Sequence, residues 1–192
     1  MAITLEGNWK SGKAYDLHTT SSTHLGTDDL GHDHFDNIRS KMGELVYQLK
    51  YKHDKSKVDE IVTLLDQIGG IENFDFIIPI PPTNKNRPIK PVELVAVALG
   101  KRRGVTVVTD ALSNEGSEEL KTITDPVARN ELLEAALKLD VSGDKYAGKK
   151  ILLVDDLYRS GSTLHVATDL FNKQGKAAQV SVLTMTKTRS NR

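Results

Sequence analysis

Short continuous apolar runs alternate along this chain with stretches in which apolar residues recur every three or four positions. Phe74 to Ile80, Gly104 to Thr109, Lys150 to Val154 and Gln179 to Thr186 are of the first kind and predict buried strands. Ile38, Met42, Leu45, Val46 and Leu49 follow the helical period, so a helix is expected from Asp36 onward, with Asp36 or Asn37 as its cap. Val58, Ile61, Val62, Leu64 and Leu65 predict a second helix over about 56–68, capped by Ser56. Residues 91–101 read as a helix that tolerates Pro91 in its first turn, and Pro126 to Leu139 and Ser162 to Gln174 read as two more. Residues 113–125 are polar, contain Gly116 and run into Pro126, hence a loop. Strands alternating with helices predict an α/β fold, a parallel twisted sheet flanked by helices, with ligands at the carboxyl ends of its strands.

The first 35 residues break this pattern. They are polar and carry no sustained period, which predicts an irregular N-terminal arm, residues 1–35, packed on a domain of residues 36–192. Trp9, Tyr15 and Phe35 are the expected packing anchors of the arm. His24, His32 and His34 with Asp28, Asp29, Asp33 and Asp36 form a loose cluster; a divalent-ion site and a solvated loop are both compatible with it, and its spacing matches no closed zinc pattern.

A length of 192 residues suits one α/β domain. Lys and Arg number 26 and Asp and Glu 26, so the chain has no net charge to drive direct nucleic-acid or anionic-membrane binding. The absence of cysteine excludes disulfides, thiolate nucleophiles and Cys-based zinc sites. No segment reads as a signal peptide or a membrane span, so a cytoplasmic location is expected.

The most informative stretch is Ile151 to Leu164, ILLVDDLYRSGSTL. Four apolar residues predict a buried strand. Asp155 and Asp156 follow at its exposed end, and a tight turn through Gly161 leads into a helix. Unpaired N–H groups at a helix start, with the positive end of the helix dipole, suit a phosphate. Arg159, Ser160, Gly161, Ser162 and Thr163 are the candidate phosphate binders, with Gly161 allowing close backbone approach. Asp155 and Asp156 are acceptors placed for sugar hydroxyls and able to hold hydrated Mg²⁺. An ordinary strand–turn–helix would use the same residues as caps. No Gly-Lys-Ser/Thr follows, so this is not a Walker loop.

The stretch resembles the phosphoribosyl-diphosphate (PRPP) signature of the type I phosphoribosyltransferases: four hydrophobic residues, two acids, a short variable stretch, then Gly-x-Thr. That resemblance implies PRPP or a nucleotide monophosphate as ligand, Mg²⁺ as cofactor and Asp155 and Asp156 as catalytic residues. It further implies a diphosphate loop after the first strand, with Pro81, Pro82, Thr83 and Arg87, and a mobile mid-chain loop that brings Lys121 over the diphosphate. Lys85 and Lys90 add positive charge to the first of these loops. A narrower resemblance is to the ComF-like branch, through Glu44 to Tyr51 (ELVYQLKY), Ile78-Pro79-Ile80-Pro81 with Arg87, and Arg129 with Leu132, Ala136 and Leu137. The N-terminal Cys₄ zinc module of ComF proteins has no counterpart in this sequence, and Arg87-Pro88-Ile89-Lys90-Pro91 replaces their Arg-Gly-Phe-Asn-Gln.

In purine-salvage relatives an Asp stands where this chain has Arg159, which argues against a hypoxanthine or guanine acceptor. Three readings stay open: a transferase with an unknown acceptor, a PRPP- or nucleotide-binding regulator without turnover, and a DNA-uptake accessory. A homodimer is compatible with each.

Overall fold

A computed structural model of the chain describes residues 2–28, 30–83, 88–116 and 135–189. Its centre is a six-stranded sheet in the order β1 (Ile3–Thr4), β2 (Gly12–Leu17), β10 (Gln179–Lys187), β9 (Lys150–Tyr158), β5 (Phe76–Pro79), β6 (Thr106–Val107). All neighbours are parallel except β1 and β2. Two antiparallel ribbons stand beside it: β3 (Thr19–Thr27) with β4 (Asp33–Arg39), and β7 (Leu112–Asn114) with β8 (Leu137–Leu139). The helices are α1 (Lys41–Tyr51), α2 (Lys57–Leu65), α3 (Pro91–Arg103) and α4 (Ser162–Lys173). The predicted α/β fold with a mostly parallel sheet is thus found.

Side chains of a strand alternate between the faces of a sheet, and here that alternation divides the core in two. Ile151 and Leu153 of β9, with Ile78, Val180 and Val182, pack against Leu164 and Phe171 of α4. Leu152 and Val154, with Ile77, Leu183 and Met185, pack against Met42, Leu49, Ile61 and Leu99 from α1, α2 and α3. Burying one such side chain contributes about 1.5–3 kcal/mol, and β9 provides four of them in a row, two to each face.

Several elements differ from the sequence-based expectation. The N-terminal arm is not irregular: β2 pairs with β10 over Val182↔Gly12 to Lys187↔Leu17, so residues 12–17 belong to the central sheet. Its neighbour Trp9 is buried, as expected of an anchor, and Tyr15 is half-buried, but Phe35 is exposed, its ring 5.1 Å from that of His24. The first helix begins at Lys41 and not near Asp36, because Ser40 caps it by accepting from the Gly43 N–H at 2.9 Å while Asp33 to Arg39 pair with β3. Ser56 makes no capping bond. Leu137 to Leu139, expected as the end of a helix, form β8 instead; residues 126–134 of that helix lie outside the described residues. Among the described residues no helix is long and apolar enough to cross a membrane.

Candidate nucleotide-sugar site

The carboxyl ends of β5 and β9 open into a cleft of about 820 Å³. Asp155 and Asp156 lie on its floor, Pro81, Pro82 and Thr83 on the loop after β5, and Lys50 and Tyr51 at the end of α1. Beside it lies a recess of about 100 Å³, enclosed by Asp155 and residues 157–164. Asp155, Leu157, Arg159 and Thr163 border both spaces, so the two lie side by side.

The expectation that the strand ends at Val154, with the acids just beyond it, is corrected: β9 runs on to Tyr158, because Asp155 and Leu157 still pair with Thr184 and Thr186 of β10. The acids therefore obey strand alternation. Asp155 follows Ile151 and Leu153 toward the recess, and Asp156 follows Leu152 and Val154 toward α1. There the Lys50 ammonium meets Asp156 Oδ2 at 2.5 Å, with both side chains largely buried. Thr186 donates its hydroxyl to the Asp156 carbonyl at 2.9 Å and lies 3.2 Å from His18 Nδ1.

Charge is finely balanced here. Burial works against the Lys50 ammonium, but the charge and hydrogen bond of Asp156 outweigh it and hold its pKa above the ordinary value. Asp155 has no cation in contact with it among the described residues, and the Lys50 charge lowers its pKa only as the weakest influence. Burial first, and the neighbouring Asp156 charge second, push its pKa up to about 8, although its carboxylate accepts the Asp156 N–H at 2.8 Å. Hydroxyl donors or a cation beside Asp155 would relieve that opposition.

The turn from Arg159 to Gly161 is the predicted phosphate cradle. Gly161 has a φ of 79°, the left-handed region, and no side chain caps α4. The Ser162 N–H reaches Ser160 Oγ only at 3.5 Å, and residues 161–164 at the start of this 12-residue helix line the recess, with the Ser160 and Ser162 hydroxyls 3.0 Å from each other beside them. The structure adds further reasons for Gly161. A Cβ there would fall 2.7–3.0 Å from the Tyr158 ring, so the residue is small to seat Tyr158 as well as to reach its backbone angle. Tyr158 in turn meets Trp9 edge-on at 6.3 Å, and Trp9 stacks on His165 of α4 at 4.7 Å. A segment read as a loose arm therefore buttresses the cradle.

Of the other expected site residues, Pro81, Pro82, Thr83 and Lys90 border the cleft, and Lys90 pairs with Glu93 at 3.1 Å. Arg87 and Lys121, like Lys85 and Arg129, lie outside the described residues. The His/Asp cluster resolves into pairs along the β3–β4 ribbon, His24 with Asp33 at 3.1 Å and His34 with Asp28 at 3.0 Å. Among the described residues no group of three or more such side chains is placed to hold a metal ion. Sequence reasoning missed Lys50 and Asn114. Lys50 carried a signal: it continues the Gly43, Val46 face of α1, where a cation at the end of a buried stripe calls for a partner. Asn114 sat in a segment read as loop, and no signal marked it.

No family model matches the chain. It is 30% identical over 112 residues to competence protein ComFC of Bacillus subtilis (strain 168); the match covers 57% of this chain and 43% of that protein, so it spans less than half of the relative's length. Solved structures similar to it include an adenine phosphoribosyltransferase from Thermoanaerobacter pseudethanolicus (15% identity, 79% of this chain and 88% of that one, TM-score 0.46). They also include a hypoxanthine-guanine phosphoribosyltransferase from Bacillus anthracis (18%, 78% and 70%, TM-score 0.43). A third is an orotate phosphoribosyltransferase from Aeropyrum pernix (13%, 86% and 72%, TM-score 0.41). At such identities and TM-scores none of these structures speaks to the chemistry of the site. The chain is thus similar over part of its length to a competence protein and has the mostly parallel α/β architecture that its sequence pattern predicts.

Proposed function

We propose that the protein is a phosphoribosyltransferase that binds PRPP with Mg²⁺ and transfers the phosphoribosyl group to an acceptor still to be found. The observation that carries this reading is the adjacency of the two spaces: an acidic cleft floor shares Asp155, Leu157, Arg159 and Thr163 with a small recess lined by the first turn of α4. A ribose 5-phosphate needs both, donors for the phosphate at one end and carboxylate acceptors for the ring hydroxyls at the other.

In this reading the amides of residues 161–163 and the Ser160, Ser162 and Thr163 hydroxyls hold the 5-phosphate. Asp155 and Asp156 accept from the ribose hydroxyls and stabilise positive charge on the ring as the anomeric C–O bond breaks. The diphosphate leaves with the bonding electrons, and the acceptor forms the new bond to the same carbon. Pro81, Pro82 and Thr83, with Arg87 and Lys121, would border the leaving group. Mg²⁺ would neutralise its charge. The donor set suits that ion, which prefers one or two carboxylates plus substrate phosphates and water. Asp155 has no cation partner among the described residues, whereas Asp156 already has Lys50.

Calorimetry with PRPP and Mg²⁺, followed by diphosphate release with nucleobase and amine acceptors, tests the proposal. Saturable binding and release with one acceptor are expected. Absence of PRPP binding would overturn it. Binding without release for any acceptor would favour a PRPP- or nucleotide-sensing regulator. The relationship to a competence protein supports a further reading, an accessory in DNA uptake, in which the same pocket serves as a sensor.

A further inference from the structure

α1 does more than cover the sheet. Its Gly43 lies so close to the chain end of β2 that a Cβ there would come 2.0 Å from the His18 carbonyl oxygen. The Ser40 hydroxyl fastens the same corner by donating to the Leu17 carbonyl at 2.5 Å. Val46 is buried below, and one turn on the same face ends at Lys50. The docking of the helix thus sets the reach of one ammonium into the cleft.

What that ammonium does to Asp156 is specific. It takes Oδ2 at 2.5 Å, while Oδ1 has no protein partner among the described residues and the side chain borders the cleft. Asp155, on the other face of β9, is engaged only by the Asp156 N–H among the described residues. Two adjacent carboxylates on one strand repel each other, and Lys50 is in contact with Asp156 and acts on Asp155 through its charge alone.

We propose that Lys50 is a positioning residue for sugar recognition: it fixes one oxygen of Asp156 so that the other is presented, charged and aimed, to a ring hydroxyl of a ribose phosphate. This rests on the reading of the cleft as a ribose 5-phosphate site. Lys50 itself makes no contact with the phosphate, which is held at the far side of β9 by the turn at Gly161.

The test separates sugar from phosphate. Inorganic phosphate and ribose 5-phosphate are titrated into the wild type, Lys50→Met, Lys50→Arg, Asp156→Asn and the Lys50→Met/Asp156→Asn double variant, and the ratio of the two affinities is read. In the wild type ribose 5-phosphate binds more tightly than phosphate. Lys50→Met reduces that advantage at least about tenfold, the size of one charge-assisted hydrogen bond, with phosphate affinity unchanged. Lys50→Arg restores part of it, and the double variant is no worse than Asp156→Asn alone.

A sugar advantage that survives Lys50→Met would overturn the inference. So would a further loss in the double variant, which would mean that Lys50 touches the ligand itself. Equal loss of phosphate and sugar phosphate would reduce Lys50 to a structural role and also overturn it. A wild type with no sugar advantage would instead overturn the reading of the site, a distinct outcome.

Discussion

Asp155 and Asp156 are neighbours with unequal tasks, because strand alternation sends them to opposite sides of the sheet. Asp155→Asn with Asp156→Asn is expected to weaken PRPP binding strongly in a protein that remains folded, since two charged acceptors are lost at about 1.5–3 kcal/mol each. Affinity by calorimetry and near-UV circular dichroism check both halves of that expectation. Gly161 answers to two demands, a φ of 79° and the Tyr158 ring. Gly161→Ala is expected to cost about 1–2 kcal/mol from the backbone angle alone, and more from the ring. In a Tyr158→Ala background the same substitution should cost less, and unfolding of the two pairs in urea measures the difference. His18 offers a pH signature. Burial, and then the nearby Arg39, lower its pKa below the ordinary 6.5. Above that value the imidazole is neutral folded or unfolded, and stability is complete. As pH falls through it the unfolded chain takes up the proton first, so stability is lost on the acid side. His18→Gln should flatten the decline in unfolding free energy between about pH 7 and pH 5. The effect is read as a difference from the wild type, because Asp155, raised to about 8, titrates in both proteins and cancels.

At the level of elements, the Trp9 segment is the clearest dependency. Trp9 is 7% exposed, donates its indole N–H to the Leu5 carbonyl at 2.9 Å, and touches both Tyr158 and His165. Trp9→Ala is expected to cost about 3–5 kcal/mol of stability, measured by urea unfolding, and to weaken inorganic phosphate binding because the cradle loses its backing. The sequence marked Trp9 as a packing anchor but not the strand that follows it. Gly12 to Leu17 holds no apolar run, and of its six residues only Gly12 and Ala14 are buried; it becomes a strand because β10 offers it an edge, a tertiary cause. Ile38 misled for a related reason. It is four residues before Met42, a helical spacing, yet it lies in β4 and is 59% exposed. Leu137 and Leu139 hid a two-residue period inside a helix-forming Ala-Ala-Leu-Lys-Leu stretch. The strands β5, β9 and β10 were legible because sheet strands covered on both faces leave continuous apolar runs. The signature was legible for another reason: acids, small residues and hydroxyls in a fixed order carry chemistry that survives any error of one or two residues in element ends. Lys50 was quoted within its motif, but its partner is 106 positions away in sequence and only the docking of α1 joins them.

For the molecule as a whole, the architecture gathers its chemistry at one edge. The sheet divides the core into two layers, each layer delivers one carboxylate to the cleft floor, and the helix that starts at Gly161 closes the far end. The ribbon β3–β4 carries exposed Leu25, Phe35 and Ile38, and none of its described residues lines the cleft. The central claim is that one ribose 5-phosphate unit spans cleft and recess. The measurement that tests it most directly is a crystal structure of the protein soaked with ribose 5-phosphate. The account predicts the phosphate among Arg159, Ser160, Gly161, Ser162 and Thr163, with ring hydroxyls within hydrogen-bond distance of Asp155 and Asp156. A phosphate bound elsewhere, with the Gly161 turn closed by its own side chains, would contradict it.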